Sequence, residues 1–333
     1  MADSPLGRWL RQLTPSRRPE APRDVARSEA PAPVRRPGPM AEPIETTTRL
    51  ALRPGEQLHG YTIIKEVGRG AMATVYQARH EADEHIVALK ILSMAPDGID
   101  DRLDDARLRL LREAEAAGRI QHPDIVQVIE AGEERGIVFL AMEYVEGASL
   151  ATHATEGHLL PPRMVAQMCA RVAECLHFAH ARGVVHRDIK PANIVFDQKN
   201  RRVRVMDFGV ARLTDSSATR TGIILGSPSY MAPEQLDGRP LTGSADLFSL
   251  GVTLFQLLTA QLPFRADSIT RLMARIATEP HPPLATIRPD LPASLGQVLD
   301  RSLEKDTLRR YATGAEMAAA LNDAAREIPA GLR

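Results

Sequence analysis

The chain has 333 residues, 44 % of them hydrophobic and 25 % charged, and lysine plus arginine equals aspartate plus glutamate at 42 each. That balance allows a sizeable core in one large or two small domains, and no global charge points to nucleic acid or an anionic membrane as partner. No apolar run reaches the roughly 18 residues of a membrane helix, and the opening MADSPLGRWLRQL lacks the apolar core and cleavage site of a secretory signal, so a cytoplasmic protein is expected.

Residues 1–56 differ in texture from the rest, with ten of the 25 prolines. So little apolar surface cannot offset chain entropy, and a disordered arm is expected there. Within it Leu6, Trp9, Leu10 and Leu13 recur at helical spacing beside Arg8 and Arg11. This short amphipathic patch reads either as a fraying terminus or as a docking helix for a partner or an anionic membrane surface.

From Tyr61 the runs YTIIKEV, ATVYQAR and HIVALKIL are rich in β-branched residues and read as antiparallel strands. The turn between the first two carries Gly68-Arg69-Gly70-Ala71, where absent Cβ atoms let backbone N–H groups approach phosphate oxygens. It precedes a strand rather than a helix, which argues against a dinucleotide fold. Lys90 ends Val87-Ala88-Leu89-Lys90 on the third strand and is costly to bury unless paired. Glu113, in the helix-forming stretch that ends at Gly118, is its natural partner, with Glu115 as competitor.

IVQVIEAG and GIVFLAMEYV read as two further strands, after which the pattern turns helical, with long apolar helices over about 162–181 and 244–259. The expected class is α+β: a small β-rich lobe with one main helix, then a larger, mainly helical lobe. Cys169 and Cys175 match neither a redox pair nor a zinc motif and read as core thiols.

The segment His186-Arg187-Asp188-Ile189-Lys190-Pro191-Ala192-Asn193 places a carboxylate, an amine and an amide in one short loop between apolar runs. A carboxylate can take a proton from a hydroxyl, an amine can neutralise phosphate, and an amide can hold a metal ion. Asp207-Phe208-Gly209 supplies a second carboxylate at a strand end. Two metal-capable groups, a glycine turn and a strand lysine together describe a magnesium–nucleotide site.

GRGAMATV, VALK, HRDIKPANI, DFG and GSPSYMAPE occur in the order and approximate spacing of the eukaryotic-like (Hanks-type) protein kinases, and the chain resembles the bacterial serine/threonine kinases among them. The resemblance implies a bilobal kinase domain over 57–325, with 326–333 as a tail. It implies ATP and magnesium, or manganese in its place, as cofactors. By position, Lys90 would hold the α- and β-phosphates and pair with Glu113, while Gly68, Arg69, Gly70 and Ala71 would cover the phosphates. Ala73 replaces the family's third glycine. Asp207 and Asn193 would bind metal, Asp188 would accept the hydroxyl proton, and Lys190 would steady the γ-phosphate. Met142 resembles the gatekeeper behind the adenine, backbone groups of Glu143 and Val145 would bond the base, and Leu58, Val67, Val75, Ala88 and Val195 would wall it.

Lys190 gives the Ser/Thr pattern, and Ser227 stands where the family usually has threonine. Glu234 is expected to pair with Arg310. Arg187 suggests phosphate-dependent activation, with Thr219 and Thr221 as autophosphorylation sites within a homodimer. Thr46, Thr47 and Thr48 form a candidate second site for a phosphothreonine-binding partner. The implied substrates are proteins with Ser/Thr hydroxyls, and nucleic acid is not expected as a partner. A pseudokinase scaffold and a small-molecule kinase are the rival readings. The first would be expected to lose one of Lys90, Asp188, Asn193 or Asp207; the second typically lacks Met231-Ala232-Pro233-Glu234.

Overall fold

The computed structural model describes residues 52–70, 73–92, 118, 120–208 and 228–332. The arm patch from Leu6 to Leu13, Thr46–Thr48, Ala71, Glu113, Glu115, Gly209, Thr219, Thr221 and Ser227 lie outside the described residues. So does the expected N-lobe helix, apart from Gly118 and Ile120 at its end.

Six strands form the first sheet: β1 Gln57–Leu58, β2 Tyr61–Arg69, β3 Ala73–His80, β4 Ile86–Leu92, β5 Val128–Glu134 and β6 Ile137–Glu143. Their spatial order is β1-β2-β3-β4-β6-β5, with each neighbouring pair antiparallel. Strand periodicity of two divides their side chains between two apolar clusters. Val87, Leu89 and Ile91 join Leu58, Tyr61, Tyr76, Phe139 and Ala141 on one face. On the other, Leu140 and Met142 join Val126 and Ala131, with Ala88 packed against them. Lys90 is paired with Leu140 and Ala88 with Met142, so both point toward the second lobe.

A second sheet of β7 Ala148–Ser149, β8 Ile194–Asp197 and β9 Arg202–Val205 belongs to the helical lobe. That lobe contains α1 Pro162–His180, α2 Pro233–Leu236, α3 Gly243–Thr259, α4 Ile269–Thr278, α5 Leu284–Ile287, α6 Ala293–Ser302 and α7 Gly314–Glu327. Proline at the first position suits α1, because a first-turn N–H has no intrahelical partner anyway. Its small residues let α7 approach closely: a Cβ on Gly314 would come within 2.2 Å of the Ala173 carbonyl oxygen. Helix α3 is apolar nearly all round and is the lobe's central element, with Phe248, Leu250, Leu254 and Phe255 buried. Each such side chain contributes about 1.5–3 kcal/mol through burial.

The expected pair of Glu234 and Arg310 is formed, bidentate at 2.7 and 2.8 Å and fully enclosed. It ties the start of α2 to the loop before α7. Cys169 and Cys175 are free and buried, and burial pushes the Cys169 thiol up to about 12 and the Cys175 thiol higher still. Among the described residues, no helix is long and apolar enough to cross a membrane.

Candidate active site

The acidic loop is held from below by a residue that the sequence reading missed. Asp246, in the first turn of α3, is completely buried and accepts the backbone N–H groups of His186 at 2.8 Å and Arg187 at 2.7 Å. Its Oδ2 also bonds His180 Nε2 at 2.7 Å. Arg187 adopts a left-handed φ of +71°, which an L residue holds only when its surroundings over-determine it. The carboxylate supplies that constraint. Gly243 is required beside it, because a Cβ there would lie 2.3 Å from the His180 ring.

The His186 side chain joins the two acidic segments. Its Nδ1 accepts the Asp188 N–H at 3.2 Å and its Nε2–H donates to the Met206 carbonyl at 2.8 Å, which selects the Nε2-protonated tautomer. The ring also meets Phe208 edge-on, with centroids 4.6 Å apart. Met206 N–H in turn donates to the Asn193 carbonyl at 3.0 Å. At the end of β9, Val205 exchanges backbone bonds with Asp124 and Val126, and Asp124 is gripped by Arg171. Asp207 therefore leaves a strand end fixed on both sides.

Within this frame the polar groups converge. Asp188 Oδ2 accepts from Lys190 Nζ at 2.7 Å and from Asn193 Nδ2 at 2.9 Å, and the side chain remains 34 % exposed. Its other oxygen accepts no hydrogen bond among the described residues. Asn193 Nδ2 also donates to the Asp188 carbonyl at 2.8 Å, so the amide offers its Oδ1 outward. Across the cleft, Lys90 Nζ donates to Asp207 Oδ1 at 2.7 Å. Asp207 has a left-handed φ of +65°. Its burial works to raise the carboxyl, but the Lys90 ammonium first, and then that of Lys190, together hold it below the usual carboxylate range.

The donor set fits a hard divalent cation: the amide oxygen of Asn193 and the second carboxylate oxygen of Asp207 lie on backbone segments bonded to each other. Among the described residues no three His, Cys, Asp or Glu side chains form a metal cluster. Magnesium bound through one or two protein groups and substrate phosphates needs none.

The residues expected to face a nucleotide divide unevenly. Met142, Ala88 and Val145 come together, joined by Met206, to which the sequence reading assigned no role. Val75 is directly opposite Lys90 in the strand pairing, and Val67 is 50 % exposed on the adjoining strand. Val195 is half-buried on β8. Leu58 is a correction: it is 1 % exposed in the outer cluster, on the sheet face opposite Ala88 and Lys90. Glu143 N–H is already given to the Gln127 carbonyl at 2.9 Å, which leaves its carbonyl for a base, while its side chain pairs with Arg204. The Arg69 guanidinium bonds Glu66 at 2.9 and 2.5 Å. A Cβ on Gly68 would meet nothing within 4 Å, and one on Gly70 only the Ala73 carbonyl oxygen at 3.6 Å. Packing within the protein therefore does not demand either glycine.

Comparison with known proteins gives a consistent picture. The protein kinase domain family matches residues 61–322. The serine/threonine-protein kinase PknD of Mycobacterium tuberculosis is 37 % identical over 273 residues, covering 81 % of this chain and 40 % of PknD. The chain thus spans about two fifths of that relative's length. The crystal structure of the Mycobacterium tuberculosis PknI kinase domain, as a double mutant, superposes with a TM-score of 0.68 at 33 % identity, covering 83 % of this chain and all of that one. Rad53 in complex with AMP-PNP gives a TM-score of 0.64 at 26 % identity, covering 78 % of this chain and 64 % of that one.

Proposed function

The chain belongs to the protein kinase family, and from that premise we propose that it transfers the γ-phosphoryl group of ATP to serine and threonine hydroxyls of other proteins. The observation that carries this reading is the convergence of five polar side chains across one cleft. Lys90 contacts Asp207 on one side, and Lys190 and Asn193 both contact Asp188 on the other.

In the reaction, the substrate hydroxyl oxygen forms a bond to the γ-phosphorus while the bond to the bridging β,γ-oxygen breaks, and ADP leaves. The hydroxyl proton passes to Asp188, whose free oxygen faces solvent. Lys190, bonded to Asp188, places a cation where charge builds on the transferred group, and Lys90 plays the same part at the α- and β-phosphates. Asp207 and Asn193 would hold a divalent cation, magnesium by this reading, which neutralises phosphate charge when bound. Apolar contact for the adenine comes from Met142, Ala88, Val75, Val67, Val145 and Val195, with the Glu143 carbonyl as acceptor. Gly68 and Gly70 keep the β2–β3 turn open to close approach of phosphate.

Autophosphorylation at Thr219 and Thr221 forms part of the same proposal. Among the described residues the Arg187 guanidinium has no hydrogen bond or ion pair, while its backbone is held at both ends by Asp246 and Gln235. A fixed backbone carrying a free cation suits a phosphate receptor. Replacing both threonines with alanine lowers activity on this account, and unchanged activity removes the idea. The transfer itself is tested by incubation with labelled ATP and magnesium on a generic basic protein, followed by phosphoamino acid analysis. Label on serine or threonine is expected; label on tyrosine alone, or only on small molecules, contradicts it.

A further inference from the structure

The peptide unit that leads into Asp188 is held by side chains at both of its polar atoms. Its N–H donates to His186 Nδ1 at 3.2 Å, and its carbonyl, that of Arg187, accepts from Gln235 Nε2 at 3.0 Å. One peptide earlier, the Arg187 N–H is taken by Asp246 Oδ1 at 2.7 Å. A peptide unit is planar, so fixing its two polar atoms fixes the direction in which the chain enters Asp188. Three side chains from three separate parts of the sequence therefore set the attitude of this one carboxylate. Of these, only Gln235 lies on the Met231–Glu234 side of the site.

Gln235 is itself firmly placed. It follows Glu234, whose carboxylate is enclosed against Arg310, in the short helix α2. Its N–H donates to the Ala232 carbonyl at 3.0 Å, and its own carbonyl accepts from Gly238 at 3.2 Å. The side-chain amide is unevenly used. Nε2 bonds the Arg187 carbonyl, whereas Oε1 is enclosed and has no hydrogen-bond partner among the described residues. An enclosed amide oxygen without a donor is destabilising. A methionine would fill a similar volume without stranding an oxygen, so the use of a glutamine here lies in its N–H bond to the catalytic loop.

We propose that Gln235 is a positioning residue for the transfer: it orients Asp188 through the Arg187 carbonyl and so couples the Met231–Glu234 segment to the base. The inference rests on the kinase reading, in which Asp188 accepts the hydroxyl proton. Nε2 reaches loop backbone and not Lys90, Lys190, Asn193 or Asp207, which have their own partners. Losing it should turn the carboxylate without removing a group that holds nucleotide. Asp246 and His186 would still bind the N–H groups on either side, so the loop should stay folded with one carbonyl released.

The test uses the full chain with magnesium, ATP and a generic basic protein as acceptor, and separates kcat from KM. Gln235→Met keeps the length of the side chain and removes its N–H; Gln235→Leu removes it with a shorter, branched one. In both, kcat should fall at least about tenfold through misorientation of the base. The KM values for ATP and for the acceptor should each change by less than about twofold, the pattern of an interaction that matters in the transition state. The urea midpoint of Gln235→Met should stay close to the wild type, because the lost bond is offset by removal of the stranded oxygen. Should Gln235→Met fail to fold, Gln235→Leu gives the same reading alone, and failure of both would show that the bond serves the fold and overturn the inference. An unchanged kcat overturns it, as does a loss confined to KM for the acceptor, or one that merely matches the unfolded fraction. Transfer by neither wild type nor variants, with magnesium–ATP still bound, overturns the kinase reading and this inference together, whereas equal transfer by all three overturns this inference alone.

Discussion

At the scale of single residues, the site depends on buried groups whose partners are all backbone or charged. Asp246 is the clearest case. Replacing it with alanine leaves two buried N–H groups without acceptors, each costing about 1–3 kcal/mol, and frees Arg187 from its left-handed conformation. We expect Asp246→Ala to destabilise the protein by about 3 kcal/mol in urea unfolding. Phosphoryl transfer should fall by about a hundredfold or more through misplacement of Asp188. An unchanged midpoint would show that the carboxylate does not hold the loop. Asp207 makes a prediction in pH. Its carboxyl is held below the unfolded value near 3.9, so its ionised form stabilises the fold above that pH, and this contribution is lost as pH falls through the lower folded value. The stability difference between wild type and Asp207→Asn should therefore stay constant from neutrality to about pH 4 and shift against the wild type below it. A difference that already changes between pH 7 and 5 would contradict the assigned direction.

At the scale of elements, the glycines separate packing from function. Gly314 lets α7 lie on α1, and a methyl group there collides with the Ala173 carbonyl. Gly68 has open space where a Cβ would stand. Gly314→Ala should thus lower the melting temperature markedly, at a cost of about 1–3 kcal/mol from overpacking, with nucleotide affinity unchanged in the folded fraction. Gly68→Ala should leave melting almost unaltered and raise the KM for ATP. Equal melting losses in both variants would mean that the glycine turn serves the fold rather than the phosphates.

The same scale shows what the sequence could disclose. Strand alternation in VALK places Lys90 in the cleft, because residues two apart share a face, and long apolar helices fix α1 and α3. Leu58 defeated that logic. His59 and Gly60 both take positive φ between β1 and β2, and the reversal sends Leu58 to the far side of the sheet, which no count along the sequence reveals. Asp246 was equally hidden, since an acid in a helix's first turn usually serves the helix dipole. Its signal was the apolar context: a carboxylate followed by Leu247-Phe248-Ser249-Leu250 enters a core and needs partners. The partners lie 60 and 59 positions away in the chain, and only the fold brings them close.

At the scale of the whole molecule, two lobes meet across one polar seam, with Lys90 of the sheet reaching Asp207 of the helical lobe over a separation of 117 residues. The enclosed Glu234–Arg310 pair anchors the start of α2 to the loop before α7. Such a pair adds little net stability, but it fixes geometry, because neither partner tolerates being left alone. The central claim is that this seam moves a phosphoryl group and that Asp188 takes the proton. The most direct measurement compares wild type with Asp188→Asn for transfer from labelled ATP, with magnesium–nucleotide affinity measured in parallel. The account predicts label on protein serine or threonine in the wild type, and a loss of about a hundredfold or more in the variant with affinity nearly unchanged. Equal transfer by both proteins, or nucleotide binding without transfer in either, would contradict it.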